Sequence, residues 1–184
     1  MKFYDSNLFV LIPTAMVFVW QTVRATTTFR MIRGDWVCYA SSLLPLAYIA
    51  ILIRGMNAPL SIWRTVPGMF GLAAALILFE WSRNTVRGQL FSYAFSTDLP
   101  RHMCSNGPFA YIRNPFYTSY ILATVSAALM LPDIVTLIVI VLMIQMLMAA
   151  ARQEEAKFEQ SPLSDEFVRY KRRTGRFGPP IRRL

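Results

Sequence analysis

Two polar stretches of this chain have the residue types and spacing for chemistry. The first reads Ser105-Asn106-Gly107-Pro108-Phe109-Ala110-Tyr111-Ile112-Arg113-Asn114-Pro115-Phe116-Tyr117. Asn-Gly-Pro breaks any helix. Asn114-Pro115 starts one, because Asn is a favoured N-cap and proline suits the first helical position. A helix amino terminus exposes unpaired N–H groups and a partial positive charge, so it can hold an anion. Arg113 adds a planar fork for a carboxylate or phosphate. The plainer alternative stays open: Asn114-Pro115 caps a membrane helix and Arg113 snorkels to the headgroups.

The second stretch is Arg152-Gln153-Glu154-Glu155. Gln145, Met148, Arg152 and Glu155 share one helical face by their spacing. Arg152 and Glu155 can pair along the helix. Alternatively, the adjacent carboxylates at a membrane boundary bind a cation or ribose hydroxyls, since ionisable groups there carry a functional expectation. A third feature, Glu80 with Arg83, Asn84 and Arg87, forms one polar stripe and reads as a self-paired, solvated face.

Other chemistries are excluded. His102 is the single histidine, so no metal site rests on histidines, and Cys38 and Cys104 are too few for a disulfide scaffold or a structural zinc. No G-x-G-x-x-G, Walker A lysine or G-x-S-x-G elbow is present, which removes the conventional nucleotide-binding folds.

The elements that must position these residues are membrane helices. A span needs roughly 20 mostly apolar residues. Five stretches approach that: Leu8–Val23, Trp36–Ile53, Val66–Trp81, Phe116–Leu131 and Ile134–Ala151. The last two are separated by Pro132 and Asp133, which predicts a tight helical hairpin. Pro13 and Pro45 read as kinks that neighbouring helices compensate. The amino terminus is unlike a signal peptide, with Asp5 in its lead and no convincing cleavage site.

Composition agrees. The chain is 55% hydrophobic and 16% charged, whereas a soluble domain carries about 25% charged residues. Its 184 residues include 25 aromatics, by type 13 Phe, 8 Tyr and 4 Trp, which excludes disorder. With the carboxyl terminus in the cytoplasm, that side takes sixteen of the 19 Lys and Arg residues. Only Lys2, Arg54 and Arg64 fall on the other side. This lopsidedness is positive-inside topology, so the net charge of +9 reflects orientation and attraction to anionic lipid. It requires no nucleic acid.

Residues 100–182 resemble the carboxyl-terminal half of the isoprenylcysteine carboxyl methyltransferase family and of its relatives, the phospholipid N-methyltransferases. The matching residues are Gly107-Pro108-Phe109, then Arg113-Asn114-Pro115 with Tyr117, then Arg152 with Glu154-Glu155. Phe158, Phe167, Tyr170 and Arg176-Phe177-Gly178-Pro179 follow. The family's histidine is replaced by Asn114, which cannot titrate near neutrality, and the Gln160–Ser164 turn is longer than usual.

The resemblance implies a small prokaryotic-type member: an all-α integral membrane protein of about five spans. It has one domain, with three spans in residues 1–99 and a cofactor-binding half in 100–184. Its cytoplasmic tail closes over the site. It further implies S-adenosylmethionine as methyl donor and a lipophilic acceptor from the bilayer, an isoprenylcysteine carboxylate or a phospholipid amine, in the prokaryotic inner membrane. The implied catalytic residues are Arg152, Glu154 and Glu155. The implied cofactor contacts are Gly107, Tyr111, Arg113, Asn114, Pro115, Tyr117, Glu154, Glu155, Tyr170 and Phe177, with no metal. Two rivals remain: an NADPH-dependent relative of the sterol reductases, and a non-catalytic membrane relative that binds a partner.

Overall fold

The computed structural model of the protein describes residues 4–30, 60–87, 91–92, 100 and 102–180. Their elements run α1 (Tyr4–Thr28), β1 (Phe29–Arg30), α2 (Ile62–Thr85), β2 (Phe91–Ser92), a 3-10 turn (Gly107–Ala110), α3 (Pro115–Met130), α4 (Ile134–Glu159) and α5 (Ser164–Arg173). The described residues are thus essentially all helical. The exception is a two-residue parallel pairing of β1 with β2, in which Phe29 lies opposite Phe91.

Among the described residues three helices are long and apolar enough to cross a membrane: Asn7–Ala25 within α1, then α2 and α4. They correspond to the first, third and fifth expected spans. The second, Trp36–Ile53 with Pro45, lies outside the described residues. The fourth falls short, since α3 has 16 residues and so extends about 24 Å against a hydrocarbon core of about 30 Å. Its sequence reads as a span because it is apolar, yet α3 is the sheltered helix: Phe116, Ser119, Ala123, Thr124, Ser126, Ala127, Ala128 and Met130 are all buried. The third span starts earlier than expected, at Ile62, because Pro67 lies inside the helix instead of opening it.

Small residues set the packing. Gly68 and Gly71 of α2 face α3, where a Cβ on Gly68 would strike the Met130 side chain and one on Gly71 the Ser126 hydroxyl. Lipid gives no hydrophobic drive for helices to associate, so close backbone approach of this kind supplies much of the attraction. The glycines are therefore consumed inside the molecule. Around them Val10, Leu11, Phe18, Leu72, Ala75, Ala123 and Leu147 join in one core. Large apolar side chains point outward, with Phe9 80% and Trp63 87% exposed, as lipid-facing surfaces require. The buried hydroxyls return to their own helices: Thr124 donates to Tyr120 O at 2.7 Å and Ser126 to Leu122 O at 2.7 Å.

Leu131, Pro132 and Asp133 join α3 to α4, and the Asp133 side chain caps α4 by accepting from Val135 N at 2.8 Å. At the other end of α3 a second cluster gathers Phe79, Val86, Phe109 and Phe116. The Phe79 and Phe116 rings meet edge to face with centroids 5.5 Å apart. Gly107 adopts φ +55, where only glycine is comfortable, and a Cβ there would also strike Thr85. This close approach holds the 107–114 segment against the end of α2, beside the start of α3.

Candidate active site

The polar segments meet at Glu155. Arg113 Nε donates to Glu155 Oε1 at 3.0 Å. Arg176 makes a two-pronged contact, Nε to Oε1 at 3.0 Å and Nη2 to Oε2 at 2.8 Å. Asn114 Nδ2 reaches the same Oε1 at 3.5 Å and donates to Arg176 O at 3.3 Å. The Glu155 side chain is only 6% exposed and that of Arg113 only 10%. The hydrogen bond to Glu155 raises the Arg176 guanidinium above its ordinary value, so it stays charged.

Backbone pairing brings the two segments into this register. Arg113 N donates to Gly175 O at 2.8 Å, Asn114 N to Arg176 O at 3.1 Å and Gly175 N to Tyr111 O at 3.2 Å, forming a short parallel bridge between Ile112 and Gly175. Arg113 Nη1 donates to the Thr174 and Lys171 carbonyls, and Thr118 Oγ1 donates to Phe177 O at 3.1 Å. Below the bridge, Tyr170 donates its hydroxyl to Phe109 O at 2.7 Å. Burial pushes that phenol up to about 12, so it remains a donor. The Phe158 and Phe167 rings stack with centroids 5.0 Å apart and dock α5 on α4.

Glu154 has a different environment. Its Oε1 accepts from the Tyr117 hydroxyl at 2.8 Å, and its side chain is half-buried. It does not share the arginines of its neighbour, because adjacent helical residues point about 100° apart.

The structure therefore brings Arg113, Asn114, Tyr117, Glu154 and Glu155 together, with Tyr111, Pro115, Tyr170 and Phe177 around them. Gly107 stands one turn away as the pivot of its loop. Three readings of the sequence change. Asn114 occupies the N-cap position but makes no side-chain cap bond, since its amide is turned toward Glu155. The ion pairs of Glu155 run across the fold to Arg113 and Arg176, not along the helix to Arg152, which is exposed. The Glu80 stripe is self-paired only in part. Arg83 approaches Glu80 at 3.5 Å, while Asn84 and Arg87 are exposed.

This geometry joins a helix start, a carboxylate pair and a closing basic segment at one end of a membrane bundle. The phospholipid methyltransferase family matches the chain over residues 63–162, more than half its length. The chain belongs to the phospholipid methyltransferase family. Of the two families that the sequence resembles, the match falls on the second, and it makes the chain a membrane methyltransferase. No curated protein and no solved structure gives a significant match.

For a phospholipid methyltransferase family member, the matched region is informative. It begins in α2, one span earlier than the sequence resemblance, and ends before α5. The clasp residues Thr174, Gly175 and Arg176 thus lie beyond the family match. Arg176 was visible in the sequence only as part of a closing motif. Thr174 and Lys171 act through backbone carbonyls, which carry no side-chain signature, and Thr118 reads as an ordinary residue of an apolar helix.

Proposed function

We propose that the protein transfers a methyl group from S-adenosylmethionine to the amine of a phospholipid headgroup at the cytoplasmic face of a prokaryotic inner membrane. The sidedness rests on the sixteen of 19 basic residues that fall on the side of the carboxyl terminus. Residues 100–184 act as the cofactor-binding half, and residues 1–99 supply the spans that support it.

The donor set fits the cofactor. The start of α3 at Pro115, with the Arg113 charge beside it, is the region suited to its carboxylate. The exposed ring of Tyr111 and the half-buried ring of Phe177 offer walls for its adenine. When bound, S-adenosylmethionine supplies an electrophilic sulfonium methyl group. Tyr117 orients Glu154, Tyr170 holds the Gly107–Ala110 turn in place, and the Glu155 pairings join the tail to the helix ends over the pocket. Arg152, exposed beside the pair, faces the aqueous side of the site.

A single observation carries the reading: two adjacent carboxylates with separate tasks. Glu155 is spent on Arg113 and Arg176, while Glu154 has one oxygen on Tyr117. An amine must lose a proton to be methylated, and Glu154 is placed to accept it. Positioning supplies most of the remaining acceleration.

The test is transfer of labelled methyl groups from S-adenosylmethionine into total membrane lipid, resolved by mass spectrometry. Label in N-methylated ethanolamine phospholipids, lost in Glu154→Gln, is the expected result. Label confined to prenylated cysteine esters, undiminished in Glu154→Gln, would overturn it, because a carboxylate acceptor attacks as the anion and needs no base.

A further inference from the structure

One polar cluster stands apart from the clasp, and the proposed reaction uses none of it. Trp20 of α1 donates from Nε1 to Glu80 Oε1 of α2 at 2.6 Å. Arg83 Nη1 lies 3.5 Å from the other Glu80 oxygen, and the Glu80 side chain is 28% exposed. The Arg24 guanidinium sits over the Trp20 ring, 4.2 Å from its centroid.

Each feature suits a zwitterion. Tryptophan is the strongest of the cation-binding rings, and an indole N–H given to a carboxylate enriches its face further. That face already attracts a cation, Arg24, and the Trp20 residue remains 41% exposed. Arg83 beside the carboxylate and Arg24 over the ring supply two guanidinium groups that match a phosphate. The cluster also lies at the right end of the bundle. The Phe79 ring, one residue before Glu80, meets Phe116 at 5.5 Å, and Tyr117 follows Phe116 and donates to Glu154. Residues next to each cluster in the chain thus meet in one aromatic contact.

We propose that Trp20 and Glu80, with Arg24 and Arg83, bind the headgroup of a zwitterionic phospholipid between the ends of α1 and α2. The lipid ammonium takes the Trp20 face in place of the Arg24 guanidinium and is countered by Glu80. Its phosphate pairs with Arg24 and Arg83. The cluster is a loading site for the acceptor, and in that respect it rests on the proposed methylation of a phospholipid amine.

The test is calorimetric titration of the full chain in detergent with dihexanoyl phosphatidylethanolamine, phosphatidylcholine and phosphatidylglycerol. Glu80→Gln keeps an acceptor for Trp20 and removes only the charge. It should weaken the two ammonium lipids about tenfold, the equivalent of about 1.4 kcal/mol, without weakening phosphatidylglycerol. Trp20→Leu should do the same, and S-adenosylhomocysteine affinity should hold in both variants, reporting an intact fold. Unchanged phosphatidylethanolamine affinity in Glu80→Gln, or an equal loss for phosphatidylglycerol, would overturn the site. No methyl transfer is needed for this measurement. A wild-type chain that binds as expected but methylates nothing refutes the reaction alone. Methylation with an unchanged lipid KM in Glu80→Gln refutes the site alone.

Discussion

Glu155 and Glu80 are both carboxylates on membrane helices beside arginines and aromatic rings, yet their surroundings have opposite characters. Glu155 is 6% exposed and meets two guanidinium groups at 2.8–3.0 Å. One of them is pinned in turn by the Lys171 and Thr174 carbonyls. Glu80 is 28% exposed, has one long ion pair at 3.5 Å, and accepts on its second oxygen from Trp20, a residue that is itself partly exposed. A buried, fully bonded charge network is costly to break, whereas an open pair contributes about 0–1 kcal/mol. The comparison teaches where each carboxylate's energy goes. Glu155 orders the chain, and Glu80 is left free to exchange partners.

The largest expected effect comes from breaking the closed region. Glu155→Ala strands Arg113 and Arg176 and should cost about 3–5 kcal/mol, seen as a lower Tm in detergent and faster proteolysis of the tail. An unchanged Tm would erase the contrast with Glu80. Next, Glu154→Gln should lower methyl transfer at least about 100-fold while Tm stays near that of the wild type. Rate and stability thus separate between two neighbouring residues.

Two smaller changes probe the ground on which the clasp stands. Gly107→Ala puts a side chain at φ +55 against Thr85 and should cost about 1–2 kcal/mol. The loop carrying Arg113 would then exchange amide protons faster. Tyr170→Phe deletes the bond to Phe109 O and should cost about 0.5–1.5 kcal/mol, measured by thermal unfolding. In both variants the Trp20–Glu80 contact should persist, because it rests on α1 and α2 instead of the tail.

Much of this was legible in the chain. Long apolar runs with few charges read as spans, and α1, α2 and α4 match three of those expected. The 107–117 and 152–155 stretches stood out because they are polar where their flanks are not. Other features were not legible. The Trp20–Glu80 contact joins residues sixty positions apart, and nothing in either local pattern names the other. The shortness of α3 was hidden because apolar composition does not distinguish lipid from protein as a neighbour. Asn114 resembled a cap, since the preference for that position says nothing of a competing carboxylate on another helix.

By itself, then, the sequence determined that the chain is a membrane protein and which polar stretches depart from the apolar pattern. These are properties of solvation, and each residue contributes to them independently of distant contacts. Only the tertiary structure decided that Glu155 is spent on two arginines, that Glu154 is held by Tyr117, and that Glu80 accepts from the Trp20 indole. Those outcomes depend on directional bonds between groups far apart in the chain, and helix packing alone sets which of them meet.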